Sequence, residues 1–379
     1  MEQKIITGNQ AVAHAVRLSR VQVVSAYPIT PQTAVMETLA DMWAAGEYGG
    51  EYVSVESENS ALAYCVGAAY GGARTFTATS AHGLAYMHEL IHWSAGARLP
   101  LVMTNANRAM GAPWCIESDQ TDSLSQRDTG WAQFYCANVQ EILDTVIVAF
   151  RLAQEAHIPV MVVYDGFYLS HTYEAVTIPD QETVDRFLPQ PPSGPAFDLE
   201  SPANRHGIVN SEVMSKLMNS RFAATAAMGS LYPVLNDEYA RCTGRSYPAV
   251  EYSGKDKADT LFMTAGGMAQ TIKSFLAAPQ RDEALVRLKQ FRPFPAEEVR
   301  CILAQPHVRR VIMVDRNASM GVGGIFAQEV RAALYGADYM PEIIELNLSG
   351  GVDLTPAILE KALNAASGGE KMIWAVNLL

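Results

Sequence analysis

Four short apolar runs constrain the architecture most. Val21 to Ala26, Thr75 to Thr79, Leu101 to Thr104 and Val160 to Tyr164 each read as a strand, and each is separated from the next by a segment long enough for a helix. Such alternation predicts a parallel sheet, with crossover helices covering both faces. The expected class is therefore α/β. The clearest helix starts near Asn138, where Asn138 and Glu141 have the spacing of a capping box and Ile142, Val146, Ala149, Phe150 and Ala153 mark one face; it stops before Pro159. A second alternating region begins at Asp259, with strands at Thr260 to Thr264, Val308 to Asp315 and Ile343 to Leu348 and a helix near Gln270 to Leu276. The expected domains are 1–250 and a smaller 251–379. A Pro-rich excursion falls near 187–202, and the stretch from about Asn204 to Gly254 completes the first domain and links the two.

The chain has 379 residues, too many for one ordinary core. Its net charge of −12 argues against nucleic acid, which needs clustered Lys and Arg, and against an anionic membrane surface. No apolar run reaches about 18 residues, and Met1-Glu2-Gln3-Lys4 lacks the pattern of a signal peptide, so the expected location is cytoplasmic. Cys65, Cys115, Cys136, Cys242 and Cys301 are scattered and form no Cys-x-x-Cys pair. Neither a disulfide framework nor an iron–sulfur site is expected here, and any electron-transfer cluster must sit on another chain.

Three segments are placed to do chemistry. The turn Tyr27-Pro28-Ile29-Thr30-Pro31 follows the first strand, at the carboxyl edge where open α/β sheets bind ligands. Glu58, in Glu56-Ser57-Glu58-Asn59-Ser60-Ala61, opens a helix of small apolar residues. Together these look like a thiamine diphosphate site, which needs a carboxyl group against the edge of an aminopyrimidine; burial disfavours a carboxyl's charged form and suits it to share that proton. Arg108 follows the Leu101 to Thr104 strand and could hold a carboxylate through two parallel hydrogen bonds, or form a structural ion pair. Two other patterns have plainer readings. Met320-Gly321-Val322-Gly323-Gly324 lacks full dinucleotide-loop spacing and reads as a tight turn bringing a helix close to a strand. His88-Glu89-Leu90-Ile91-His92 matches the zinc-peptidase pattern without an obvious third ligand.

Taken in order, several segments resemble the α subunit of 2-oxoacid:ferredoxin oxidoreductases of the pyruvate type. They are Gly8 to Ala13, Tyr27 to Pro31, Glu56 to Ala61, His88 to Gly96, Asn107-Arg108-Ala109, Asp128-Thr129-Gly130-Trp131, Pro159 to Gly166, Phe291 to Pro295 and Val314 to Asn317. The resemblance implies a pyrimidine-binding domain followed by a transketolase C-terminal-like domain. It assigns Glu58 to pyrimidine activation, Pro28 and Ile29 to the cofactor pocket, and Thr30 and Arg108 to the 2-oxo acid. It also implies a β subunit holding the cofactor's diphosphate, Mg²⁺ and a [4Fe-4S] cluster, with γ and ferredoxin-like δ subunits. Ferredoxin, or NAD⁺ through a flavin subunit, would accept the electrons. The implied reaction is oxidative decarboxylation with coenzyme A.

The chain departs from that pattern near the substrate. Gly111 stands where pyruvate-type members usually have serine, Trp114 to Ser118 follow, and His82 replaces a frequent glutamine. Freed volume at Gly111 would admit an acid larger than pyruvate, such as phenylglyoxylate, with Gly111 and Trp114 lining the pocket. The alternatives are a non-catalytic regulatory subunit of the same fold and a zinc hydrolase using His88 and His92.

Overall fold

The computed structural model describes residues 2–190, 200 and 207–379. Residues 191–199 and 201–202 of the Pro-rich stretch near 187–202 lie outside these residues. The first region contributes strands β1 (Glu2–Thr7), β2 (Val23–Ala26), β3 (Glu51–Ser54), β4 (Thr75–Thr79), β5 (Val102–Asn107), β6 (Ala132–Tyr135), β7 (Val160–Asp165) and β8 (Tyr173–Ile178). The second contributes β9 (Val250–Gly254), β10 (Thr260–Thr264), β11 (Ala284–Leu288), β12 (Gln290–Arg292), β13 (Arg310–Asp315), β14 (Glu342–Asn347) and β15 (Met372–Trp374). Strands β1 and β8 pair antiparallel beside two larger sheets.

The larger sheets have the orders β12-β6-β7-β5-β4-β2-β3 and β15-β14-β13-β10-β11-β9. Each is parallel except at one edge, where β12 runs antiparallel to β6 and β9 antiparallel to β11. The expected helix after Asn138 spans Val139–Ala156 and ends at His157, whose φ of 50° turns the chain before Pro159. Half of the expected capping box forms: the Asn138 side chain accepts from Glu141 N, but the Glu141 carboxylate takes Ala137 N at 2.9 Å instead of the cap's own N–H.

Glu141 is diverted because it has a larger task. Arg287 and Lys289 of the second region donate to Glu141 Oε1 at 2.8 and 2.6 Å, with all three side chains buried. Burial alone would raise the Glu141 pKa; the two cations overcome it and hold the carboxyl down at about 2. Two further features join the regions. Strand β12, although it follows β11, completes the first sheet. One continuous core also runs from Met103, Trp131, Tyr135 and Met161 to Met263, Phe291 and Val330. The stretch after Asn210 forms a helix, Ser211–Thr243, whose Met228, Tyr232, Leu235 and Tyr239 bury against the first region.

Candidate functional site

Strand order points to a candidate site. From β2 the chain moves outward to β3, then returns to place β4 on the other side of β2, so the winding reverses between β2 and β4. Ligands of open α/β sheets bind beyond the carboxyl ends of strands at such a reversal. Here that edge carries the Tyr27–Pro31 turn after β2, Glu58 after β3, Ser80 to Gly83 after β4 and Arg108 after β5.

The Tyr27–Pro31 turn is fixed from below. Asn9 Nδ2 donates to Pro31 O at 2.8 Å, Tyr164 Oη donates to Asn9 Oδ1 at 2.8 Å, and Gln32 Nε2 donates to Tyr27 O at 2.9 Å. Pro28 and Thr30 are left exposed and Ile29 half-buried. Glu58 is the first residue of the helix Glu58–Tyr70, whose cap Ser57 accepts from Ser60 N. Glu58 is half-buried rather than enclosed. Its carboxyl lies against Gly83: a Cβ built there would stand 2.7 Å from both Cγ and Oε1 of Glu58 and 2.6 Å from Thr79 Oγ1. Any side chain at position 83 would therefore have to displace this carboxyl or the Thr79 hydroxyl. The buried hydroxyl of Thr79, which meets the same point of Gly83, has no hydrogen-bond partner among the described residues, nor has that of the following Ser80.

Arg108 is buried, and its guanidinium ties two turns together. Nη1 donates to the carbonyl of Thr30 at 2.6 Å, and Nη2 lies 3.5 Å from His82 Nδ1. His82 Nε2 accepts from Gly111 N at 3.0 Å. The Trp114 ring covers one face of the guanidinium, 5.6 Å from its carbon to the ring centre. Burial pushes Arg108 below the usual arginine range, while Asp122 and Glu58 act in the opposite direction. Thr30, Arg108, His82, Gly111 and Trp114 are thus brought together, with Glu58 near enough for its charge to act on Arg108.

The Thr30 group that meets Arg108 is the backbone carbonyl and not the hydroxyl. At Gly111 an added Cβ would meet nothing within 4 Å, and the φ of +107° is one that L side chains rarely adopt. Trp114 is 76% exposed, so in this chain it shields Arg108 and does not wall a closed pocket.

Asp122 was not foreseen. Fully buried, it accepts from Ala81 N at 2.9 Å, Asn105 Nδ2 at 2.9 Å, Asn107 Nδ2 at 2.5 Å, Arg108 N at 3.2 Å and Ser123 N at 2.6 Å. One carboxylate therefore joins the ends of β4 and β5. Burial raises its pKa to about 6 in spite of these donors. No sequence signal marks it, since Ser118-Asp119-Gln120-Thr121-Asp122-Ser123 reads as a polar loop.

The zinc reading finds no third ligand. His88 Nδ1 is 2.6 Å from Gln126 Oε1, the His88 and His92 rings meet edge to face, and among the described residues no group of three or more His, Cys, Asp or Glu could hold a metal. The Gly321 to Gly324 segment is the close-packing turn expected of it. A Cβ on Gly324 would lie 1.9 Å from Asp315 Oδ2. The following helix, Ile325–Leu334, has its N-terminal N–H groups taken by Asp315 and Asn317, while Glu345 takes Gly324 N.

Residues 14–232 match the family described as pyruvate flavodoxin/ferredoxin oxidoreductase, thiamine diphosphate-binding, and residues 258–358 match pyruvate:ferredoxin oxidoreductase core domain II. The chain belongs to the 2-oxoacid:ferredoxin oxidoreductase α-subunit family. It is 44% identical over 346 residues to the ketoisovalerate oxidoreductase subunit VorA of Pyrococcus abyssi, covering 89% of this chain and 87% of that one. It is 38% identical to the pyruvate synthase subunit PorA of Methanothermobacter thermautotrophicus, covering 100% and 99%. The 2-oxoglutarate:ferredoxin oxidoreductase of Magnetococcus marinus shares the fold, with a TM-score of 0.75 at 21% identity, over 97% of this chain and 65% of that chain.

The local chemistry of this oxidoreductase subunit fits the cofactor of its family. A carboxyl seated against glycine, near the buried and unpartnered hydroxyl of Thr79, suits the polar edge of an aminopyrimidine. Among the described residues, no helix is long and apolar enough to cross a membrane.

Proposed function

We propose that this chain is the catalytic α subunit of a cytoplasmic complex that converts a 2-oxo acid and coenzyme A into acyl-CoA and CO₂, releasing two low-potential electrons and one proton. The observation that carries this is the juxtaposition of Glu58, seated against Gly83, with Arg108, held on the Thr30 carbonyl, at one sheet reversal. Glu58 Oε1 shares a proton with the aminopyrimidine edge, and Pro28 and Ile29 line the cofactor's side of the turn. Arg108 and Thr30 face the substrate, with Gly111 and Trp114 at its far side. When bound, thiamine diphosphate supplies the stabilised carbanion that decarboxylation needs.

Partner subunits complete the assembly in this reading. A β chain holds the diphosphate and Mg²⁺, [4Fe-4S] clusters lie on partner chains, and γ and δ subunits pass electrons to ferredoxin or to a flavin subunit. The domains divide at 250. Pyruvate and ketoisovalerate lead as substrates because relatives of similar length carry both names. An aryl acid such as phenylglyoxylate belongs in the same assay. The test is to purify the native complex and assay these acids with coenzyme A and a viologen dye. Acyl-CoA formation is expected with at least one; a complex that reduces the dye with none of them overturns the proposal.

A further inference from the structure

The contact between Arg108 and His82 sets two hydrogen-bond donors against each other. His82 Nε2 accepts from Gly111 N at 3.0 Å, so that nitrogen carries no proton and the imidazole proton sits on Nδ1. Nδ1–H then faces Arg108 Nη2, itself a donor, at 3.5 Å. The opposite tautomer removes this conflict but sets Nε2–H against the Gly111 N–H, at a shorter distance. Two donors therefore converge at the ends of β4 and β5. The guanidinium's remaining hydrogen bond goes to the Thr30 carbonyl. Convergent donors of this kind are matched by an anion with two acceptor oxygens.

We propose that His82 Nδ1–H and Arg108 Nη2–H together grip the substrate carboxylate, making His82 a second binding residue common to all substrates of the site. The proposal rests on the reading of Arg108 given above. It also gives the Gly111 turn a purpose: with φ at +107°, Gly111 aims its N–H at Nε2 and fixes the tautomer. His82 is exposed and Arg108 buried, so the imidazole is the arm nearer to solvent and the guanidinium the inner one.

The experiment uses the assembled complex carrying His82→Ala, His82→Gln or Arg108→Lys. Inhibition is measured with oxamate, an unreactive carboxylate shaped like a small 2-oxo acid, and with oxamide, its neutral counterpart. His82→Ala should raise the oxamate Ki about tenfold or more, the scale of one hydrogen bond to a charged group, and leave oxamide within about twofold. The KM of each 2-oxo acid should rise by a similar factor, with kcat changed less. His82→Gln keeps an acceptor for Gly111 and a donor for the anion, and should recover most of the loss. If Arg108→Lys weakens oxamate and His82→Ala does not, the His82 assignment is wrong and that of Arg108 stands. If neither variant weakens it, the reading of Arg108 falls as well. Equal weakening of oxamate and oxamide by His82→Ala would show a general disturbance and also overturn the proposal.

Discussion

Each large sheet reverses its winding beside a central strand, β2 in the first and β10 in the second, yet these two reversals have opposite characters. At the first, between β2 and β4, the strand ends present Glu58, His82 and the exposed Thr30. At the second, between β10 and β13, the equivalent edge is filled by the first region. Asp165 Oδ2 accepts from Gly267 N at 2.6 Å, Asp165 Oδ1 lies 3.6 Å from Arg316, and Gln120 donates to the carbonyls of Ala265 and, through its backbone, Arg316. The nearby helix N-terminus is taken by the chain's own carboxylates. A reversal is thus a place where unpaired backbone groups gather, and what decides between binding and bracing is whether the chain supplies their partners itself.

The comparison breaks if substitutions at the two edges do the same thing. Glu58→Gln should show the largest effect: turnover of the assembled complex falls roughly a hundredfold or more, the scale of a positioned acid–base group, with the melting temperature nearly unchanged. Near-normal turnover would remove Glu58 from the chemistry. The filled edge should respond in stability instead. Burial, with Glu345 adding to it and Asn317 and the helix N–H groups opposing it, raises the Asp315 pKa to about 7 from 3.8. Asp315 stabilises the fold fully below its unfolded value, and that contribution is lost as pH rises through about 7. Asp315→Asn, which does not titrate, should therefore gain on the native chain between pH 5 and pH 8, by an amount on the order of a few kcal/mol. A difference in stability that stays flat across that range would count against it.

Two glycines sharpen the contrast further. Gly324→Ala forces a methyl onto the Asp315 carboxylate and should cost about 1 to 3 kcal/mol in stability, read by denaturant unfolding. Gly83→Ala presses on Glu58 and should show mainly as lost turnover in a folded complex. Exchange of these two outcomes would invert the assignment of the edges. Smallest is Trp114→Ala. An exposed cation–π contact is worth about 0.5 to 1 kcal/mol, so KM should rise only a few-fold for all acids alike.

Three strands of the first edge, β2, β4 and β5, were legible because their apolar runs are short and punctuated, and Thr75–Thr79 appears as read, whereas β3, half exposed and without an apolar run, was not. Arg108 could be placed because it follows such a run directly. Long-range polar pairing was illegible. Glu141 reads as a capping residue until Arg287 and Lys289, on a distant strand, reach its carboxylate. Asp122 is recruited by donors from β5 and from the helix start after β4, and only the assembled sheet brings Ala81 and Asn105 to it. Strand β12 has three residues in front of Pro293, too few for a periodicity, and its partner is the other region's β6.

That misplaced strand bears on how the chain is made. During synthesis β6 is finished well before β12, so the growing polypeptide carries an unpaired sheet edge, with Glu141 lacking both of its cations, until residues 287 to 292 have left the ribosome. An open strand edge pairs readily with a neighbouring nascent chain. Pauses in translation before Gln290 has left the ribosome should therefore lower the yield of soluble subunit.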